Sequence, residues 1–175
     1  MRYSREQLID RIRQAARSIG FPEAVAIAQL ARESANFRDD VVYGNFVGGS
    51  GERGLAQFIP GTWARFGSGM NPYDPDASLA AWAAYTSYLM RMFDGDLRKV
   101  LQAYNGGEGN VSRGTVSAAA RNYASTILSQ AGQTTTGSET GELGLLNERL
   151  PGWVLIGGVI LLAVVVLFDN DQTKE

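Results

Sequence analysis

Glu33 closes the run EAVAIAQLARE, residues 23–33, in which most positions are apolar. A helix apolar on nearly every side is expected in a protein interior. Burial disfavours the charged form of a carboxyl, so such a group keeps its proton to higher pH than usual. A general acid working near neutral pH requires that property. The chain has no histidine and no cysteine. That excludes the commonest general base, the Ser-His and Cys-His nucleophile pairs, thiolate chemistry and histidine-containing zinc sites. Acid–base work falls to carboxylates. By residue type alone, Glu33 could equally be a helix-end acid paired with Arg32 or Arg38. Asp39, Asp40 and Glu52 are the neighbouring acids that a mechanism with a second carboxylate would call on.

Three further stretches carry polar groups at marked places. GLAQF, residues 54–58, follows the glycine-rich YGNFVGGSGERG and precedes IPGTW. NPYDPDASLAAWAAYTSYL, residues 71–89, leads into a long apolar stripe. AYNGG, residues 103–107, ends a shorter one. Taken singly each has a plain structural reading. Gln57 could cap a turn, Tyr104 could fill a core, Ser34 could cap a helix end, and Asn105-Gly106-Gly107 could simply stop a helix. NPYDPD and FDGDL lack the spaced oxygen ligands of a calcium loop, so no metal and no cofactor is expected.

These groups must be held by helices. MRYSREQLIDRIRQAARSIG is charged throughout, with Leu8, Ile9, Ile12, Ala16 and Ile19 on one side. Ser4 with Gln7 reads as a capping box and Gly20 as a stop. A second helix should start at Pro22 and run to about Ser34. Residues 38–62 read as loop because of their glycines. A third long helix should be capped by Asp76, a shorter one by Asp96, and TVSAAARNYASTILSQ makes a last one. No stretch of residues 1–129 alternates like a strand. The expected fold class is all-α, five or so helices around one core in residues 1–129.

The ordered set of motifs resembles the lytic transglycosylases of the soluble-lytic-transglycosylase type, relatives of goose-type lysozymes. That family shows a helix-ending Glu-Ser, then Gly-Leu-Met-Gln with a following Pro-x-Thr, then Ala-Tyr-Asn-x-Gly, in this order. The likeness covers about residues 20–130, and Tyr123 of RNYASTIL resembles the tyrosine of the family's late helix. Two departures stand out. Ala56 replaces the usual methionine, which would alter a sugar-subsite wall. The Glu-Thr pair ahead of Tyr123 is missing, which leaves that tyrosine's role open. The resemblance implies a lysozyme-like helical domain acting on peptidoglycan glycan strands. It implies Glu33 as acid and then base, assisted by the substrate's own 2-acetamido group, with a 1,6-anhydro product. On that reading Gln57 and Asn105 meet the sugar or shape the loop around the acid, Tyr104 donates a hydrogen bond to Glu33, and Ser34 supports it. Asp39, Asp40 and Glu52 are then solvated loop charges. A hydrolytic muramidase and a non-catalytic wall-binding or structural virion protein are the competing readings.

QAGQTTTGSETGE, residues 130–142, reads as the start of a flexible linker spanning 130–149. LPGWVLIGGVILLAVVVLF, residues 150–168, has no charged residue. From Pro151 to Phe168 a helix would rise about 27 Å, close to the ~30 Å of a hydrocarbon core, with Trp153 at an interface. A single-pass membrane helix is expected there, followed by a polar tail at 169–175. Residues 1–129 hold 14 basic and 12 acidic residues, and 130–175 hold 2 and 6. Neither balance, with the basic residues scattered, argues for nucleic acid. The charged N-terminus does not read as a secretory signal. A wall enzyme with a tail anchor is therefore expected in the internal membrane of a bacteriophage virion, among other virion membrane or vertex proteins, opening the wall during genome delivery. A bacterial inner-membrane enzyme is the alternative.

Overall fold

The computed structural model describes residues 2–136. Eight helices follow one another: α1 (Arg5–Ser18), α2 (Glu23–Glu33), α3 (Asp39–Val42), α4 (Pro60–Phe66), α5 (Pro75–Met92), α6 (Leu97–Gly106), α7 (Glu108–Ser112) and α8 (Ala118–Thr136). Among the described residues the sole β feature is an isolated bridge between Arg53 and Phe58, closing the turn that holds Gly54 to Gln57. The all-α expectation holds for this region. No helix among the described residues is long and apolar enough to cross a membrane. The span expected at 150–168, most of the linker at 130–149 and the tail at 169–175 lie outside the described residues. The helix count is larger than five because three short helices, α3, α4 and α7, form where glycine and proline suggested loop.

Local chemistry explains the ends. Ser4 and Gln7 form the reciprocal capping box that starts α1, and Gly20 (φ 67°) turns the chain after it. Pro22 stands at the N-cap of α2 rather than inside its first turn. The cap of α5 is Asp74, whose side chain accepts from the Asp76 N–H. Asp76, the expected cap, instead sits in the first turn and binds Arg11 and Tyr3, tying α5 to the N-terminal segment. Asp96 caps α6 as its sequence suggests. Helix α8 runs on past Gln130, where the linker was expected to begin, with Ala131 still buried.

The core centres on Trp82 of α5, which is fully buried and meets Phe21 edge-on at 5.7 Å. Helix α2 packs against α1 and α8, and α6 packs against α8. The α6–α8 approach is close: a Cβ on Gly106 would lie 2.9 Å from that of Ala120. The small residue there lets the two tyrosine-bearing helices converge on the end of α2.

Candidate active site

Helix α2 delivers Glu33 on its last turn. The following residues Ala35, Asn36 and Phe37 all have positive φ (51°, 63° and 63°). Left-handed backbone in non-glycine residues costs on the order of 1 kcal/mol or more each. Four contacts over-determine it. The buried Ser34 hydroxyl donates to the Leu30 carbonyl at 2.6 Å and accepts from the Phe37 N–H at 3.0 Å. Arg5 donates to the Asn36 carbonyl at 3.0 Å and to its Oδ1 at 2.6 Å. Ser34 thus shapes the helix end that presents Glu33.

Glu33 is partly buried, and the Tyr123 hydroxyl of α8 donates to its Oε1. Burial pushes its pKa up from 4.5 to about 7. The Tyr123 hydrogen bond and the Arg32 charge pull it back, while Glu52 pushes it up further. The cations that might have neutralised Glu33 are engaged elsewhere. Arg38 binds Asp40 through two contacts, at 2.5 and 3.0 Å. Arg32 lies over the Tyr123 ring, 5.5 Å from its centre. Of the three neighbouring acids, Asp39 faces Arg2 at 3.4 Å on the surface and Asp40 belongs to Arg38. Glu52 alone of these acts on Glu33, with its own Oε2 receiving the Ser50 N–H at 2.8 Å.

The turn Gly54 to Gln57 depends on its glycine. Gly54 has φ 69°, and a Cβ there would fall 1.9 Å from the Pro72 carbonyl. Ala56 is 1% exposed. Its N–H goes to Ser78 Oγ at 3.1 Å, and its carbonyl takes the Tyr104 hydroxyl at 2.7 Å. The methionine-to-alanine departure therefore falls in the interior. Tyr104 does not donate to Glu33, as the sequence had suggested; its hydroxyl holds the turn. Burial, and after it the charge of nearby Glu33, raises its pKa. Phe58, Tyr85 and Tyr104 form a triangle of rings 5.5–5.6 Å apart that backs the site. Gln57 (φ 47°) folds its amide back onto the Gly54 carbonyl at 2.8 Å. Asn105 is exposed on the last turn of α6.

Sequence reasoning left Tyr123 open and passed over Gln29. The structure puts Tyr123 on Glu33 directly. Gln29, 1% exposed, is one of the few polar side chains in the core.

An apolar helix ending in a raised-pKa carboxyl, faced by a tyrosine hydroxyl and backed by an aromatic cluster, is a site able to give and take a proton near neutral pH. Residues 10–127 match the Transglycosylase SLT domain family. The chain therefore belongs to that family. Among solved structures it is similar to an inactive mutant of the lytic transglycosylase Slt from Pseudomonas aeruginosa, at 24% identity and a TM-score of 0.59. The match covers 74% of this chain and 24% of that one, so the two share a fold over a quarter of the larger protein.

Proposed function

We propose that this domain cleaves the β-1,4 bond between N-acetylmuramic acid and N-acetylglucosamine in peptidoglycan, with Glu33 as the only acid–base group. The observation that carries this reading is the state of Glu33: a pKa of about 7, set chiefly by burial, with a tyrosine donor on one oxygen. Neutral Glu33 gives its proton to the glycosidic oxygen as that bond breaks. The sugar's 2-acetamido oxygen stabilises C1. The Glu33 carboxylate then takes the proton of the C6 hydroxyl while O6 bonds to C1, closing a 1,6-anhydro ring. No water is consumed and Glu33 ends protonated. The Slt structure that this chain resembles is of an inactive mutant with glutamate changed to glutamine, so one glutamate is required for activity in that protein. Ser34 and Tyr104 keep the acid and the turn in place, and Gln57 and Asn105 are assigned to the sugar-facing side.

The hydrolytic reading has one observation in its favour: Glu52 is close enough to act on Glu33. Mass spectrometry of digested murein separates the two, because anhydro ends are one water lighter than reducing ends. Anhydro ends are expected from the first time point. Reducing ends alone would make the domain a muramidase.

We also propose that residues 150–168 anchor the enzyme in a membrane, that of a phage virion in preference to a bacterial inner membrane, for wall opening at genome delivery. Support comes from an uncharged apolar run of about one bilayer's length. The full chain should sediment with lipid vesicles and be released by detergent but not by salt. Recovery in the supernatant without detergent would remove the anchor, and the virion membrane with it.

A further inference from the structure

We propose that Gln29 is a positioning residue, which acts through Tyr123 to keep the acid proton of Glu33 on Oε2, away from the tyrosine. This rests on the assignment of Glu33 above and deepens it. Gln29 and Glu33 are four residues apart on α2, so they lie one turn apart on one face. The Gln29 side chain is almost fully buried among groups that fix its two ends. Trp82 Nε1–H, which can only donate, points at Gln29 Oε1 from 3.2 Å. The amide nitrogen is thereby turned the other way, on the side of Tyr123, where it counters the rise that burial gives the tyrosine's pKa. A tyrosine hydroxyl has one proton. With the Gln29 amide on the tyrosine's side, that proton goes to Glu33 Oε1. The direction Trp82 to Gln29 to Tyr123 to Glu33 is set at its far end by an indole that cannot be reversed.

The consequence is chemical. If Tyr123 could rotate, neutral Glu33 could donate its own proton to the tyrosine, where the glycosidic oxygen could not reach it. An obligate donor on Oε1 leaves Oε2 to carry the proton, and it steadies the carboxylate once the proton has gone. The other groups facing Glu33 are Tyr104 from α6, Arg32 from its own helix and Glu52 from the loop before α4. None of these supplies a second constraint on Tyr123 Oη comparable to the Gln29 amide.

The test is murein solubilisation by the full chain, recorded against pH and substrate concentration. Gln29→Met keeps the volume and removes both polar ends. It should lower kcat about three- to tenfold, leave half-saturation within about twofold, and move the alkaline limb of the profile upward by roughly half a unit. In a Tyr123→Phe background the same substitution should move neither kcat nor the limb further. Trp82→Phe keeps a ring and removes the N–H, so it should shift the limb in the same direction by less, and it carries the test if Gln29→Met does not fold. An unmoved limb in the folded variants, or an equal loss in the Tyr123→Phe background, overturns the relay. Glu33→Gln is measured alongside. If it is inactive while the Gln29 limb stays put, only the relay fails; if it is active, the site assignment fails and takes the relay with it.

Discussion

Replacing Glu33 by glutamine should reduce murein cleavage by about 10²–10⁴-fold, the usual contribution of a positioned general acid. Glutamine keeps the shape and can still accept the Tyr123 hydrogen bond through its amide oxygen. What it loses is the transferable proton. Circular dichroism and gel filtration should show the fold unchanged, since the carboxyl makes no ion pair with Arg32 or Arg38 that the substitution would break. The neighbouring acids provide the contrast. Asp39→Asn and Asp40→Asn alter exposed surface pairs and should keep most activity. Glu52→Gln should also keep most activity, with the alkaline limb of its profile lowered, because Glu52 is one of the groups that raises the Glu33 pKa. A loss at Glu52 as deep as that at Glu33 would mean two essential carboxylates, and hydrolysis in place of transglycosylation.

The parts of this arrangement that were legible in the sequence are those fixed by neighbours along the chain. The capping box at Ser4 and Gln7 needs only a four-residue motif, and the helix-ending Glu33 stands out because its run is apolar. Long-range hydrogen bonding was not legible. Tyr104 and Tyr123 both come from helices that converge on α2, and nothing in their spacing says which hydroxyl reaches the acid. The answer lies in Gly106, which lets α6 approach α8, and in Ala56, whose carbonyl captures Tyr104. Gln29 carried a signal that was passed over: an amide in an otherwise apolar stretch, one turn before the acid. A buried polar group must find partners, and here the Trp82 indole N–H is one. The cap at Asp74 was missed because Asp76 carries the same chemistry two residues later, and only the contacts of Tyr3 and Arg11 show that Asp76 is engaged elsewhere. Helices α3 and α4 lie where the reading of residues 38–62 as loop took glycine and proline content for the absence of helix. Proline is well placed in the first turn of α4.

The same substitution should make the protein more stable above pH 7, in proportion to what the acid costs the fold. Glu33 has a pKa of about 7 in the folded chain against 4.5 as an ordinary glutamate. Below pH 4.5 it is protonated in both folded and unfolded states, and its burial carries no charge penalty. As pH rises from 4.5 towards 7, the unfolded chain releases the proton and the folded chain still holds it, so the folded state progressively loses ground. Above 7 both are ionised and the loss is complete. A shift of this size corresponds to roughly 3 kcal/mol; because Glu33 keeps partial access to solvent, about 2–3 kcal/mol is the expected loss. Glutamine has no charge to desolvate. Wild type and Glu33→Gln should therefore melt together near pH 4 and separate as pH rises, the variant ending higher by roughly 5–15 °C at pH 8. Scanning calorimetry of both full chains between pH 4 and 8 reads this directly. A constant difference across that range would mean that Glu33 titrates as an ordinary glutamate, and the acid would lose its reason for sitting at the end of an apolar helix. A gap that opens between pH 4.5 and 7, alongside lost activity, would show that the fold gives up stability at this position to keep a proton available for the glycosidic oxygen.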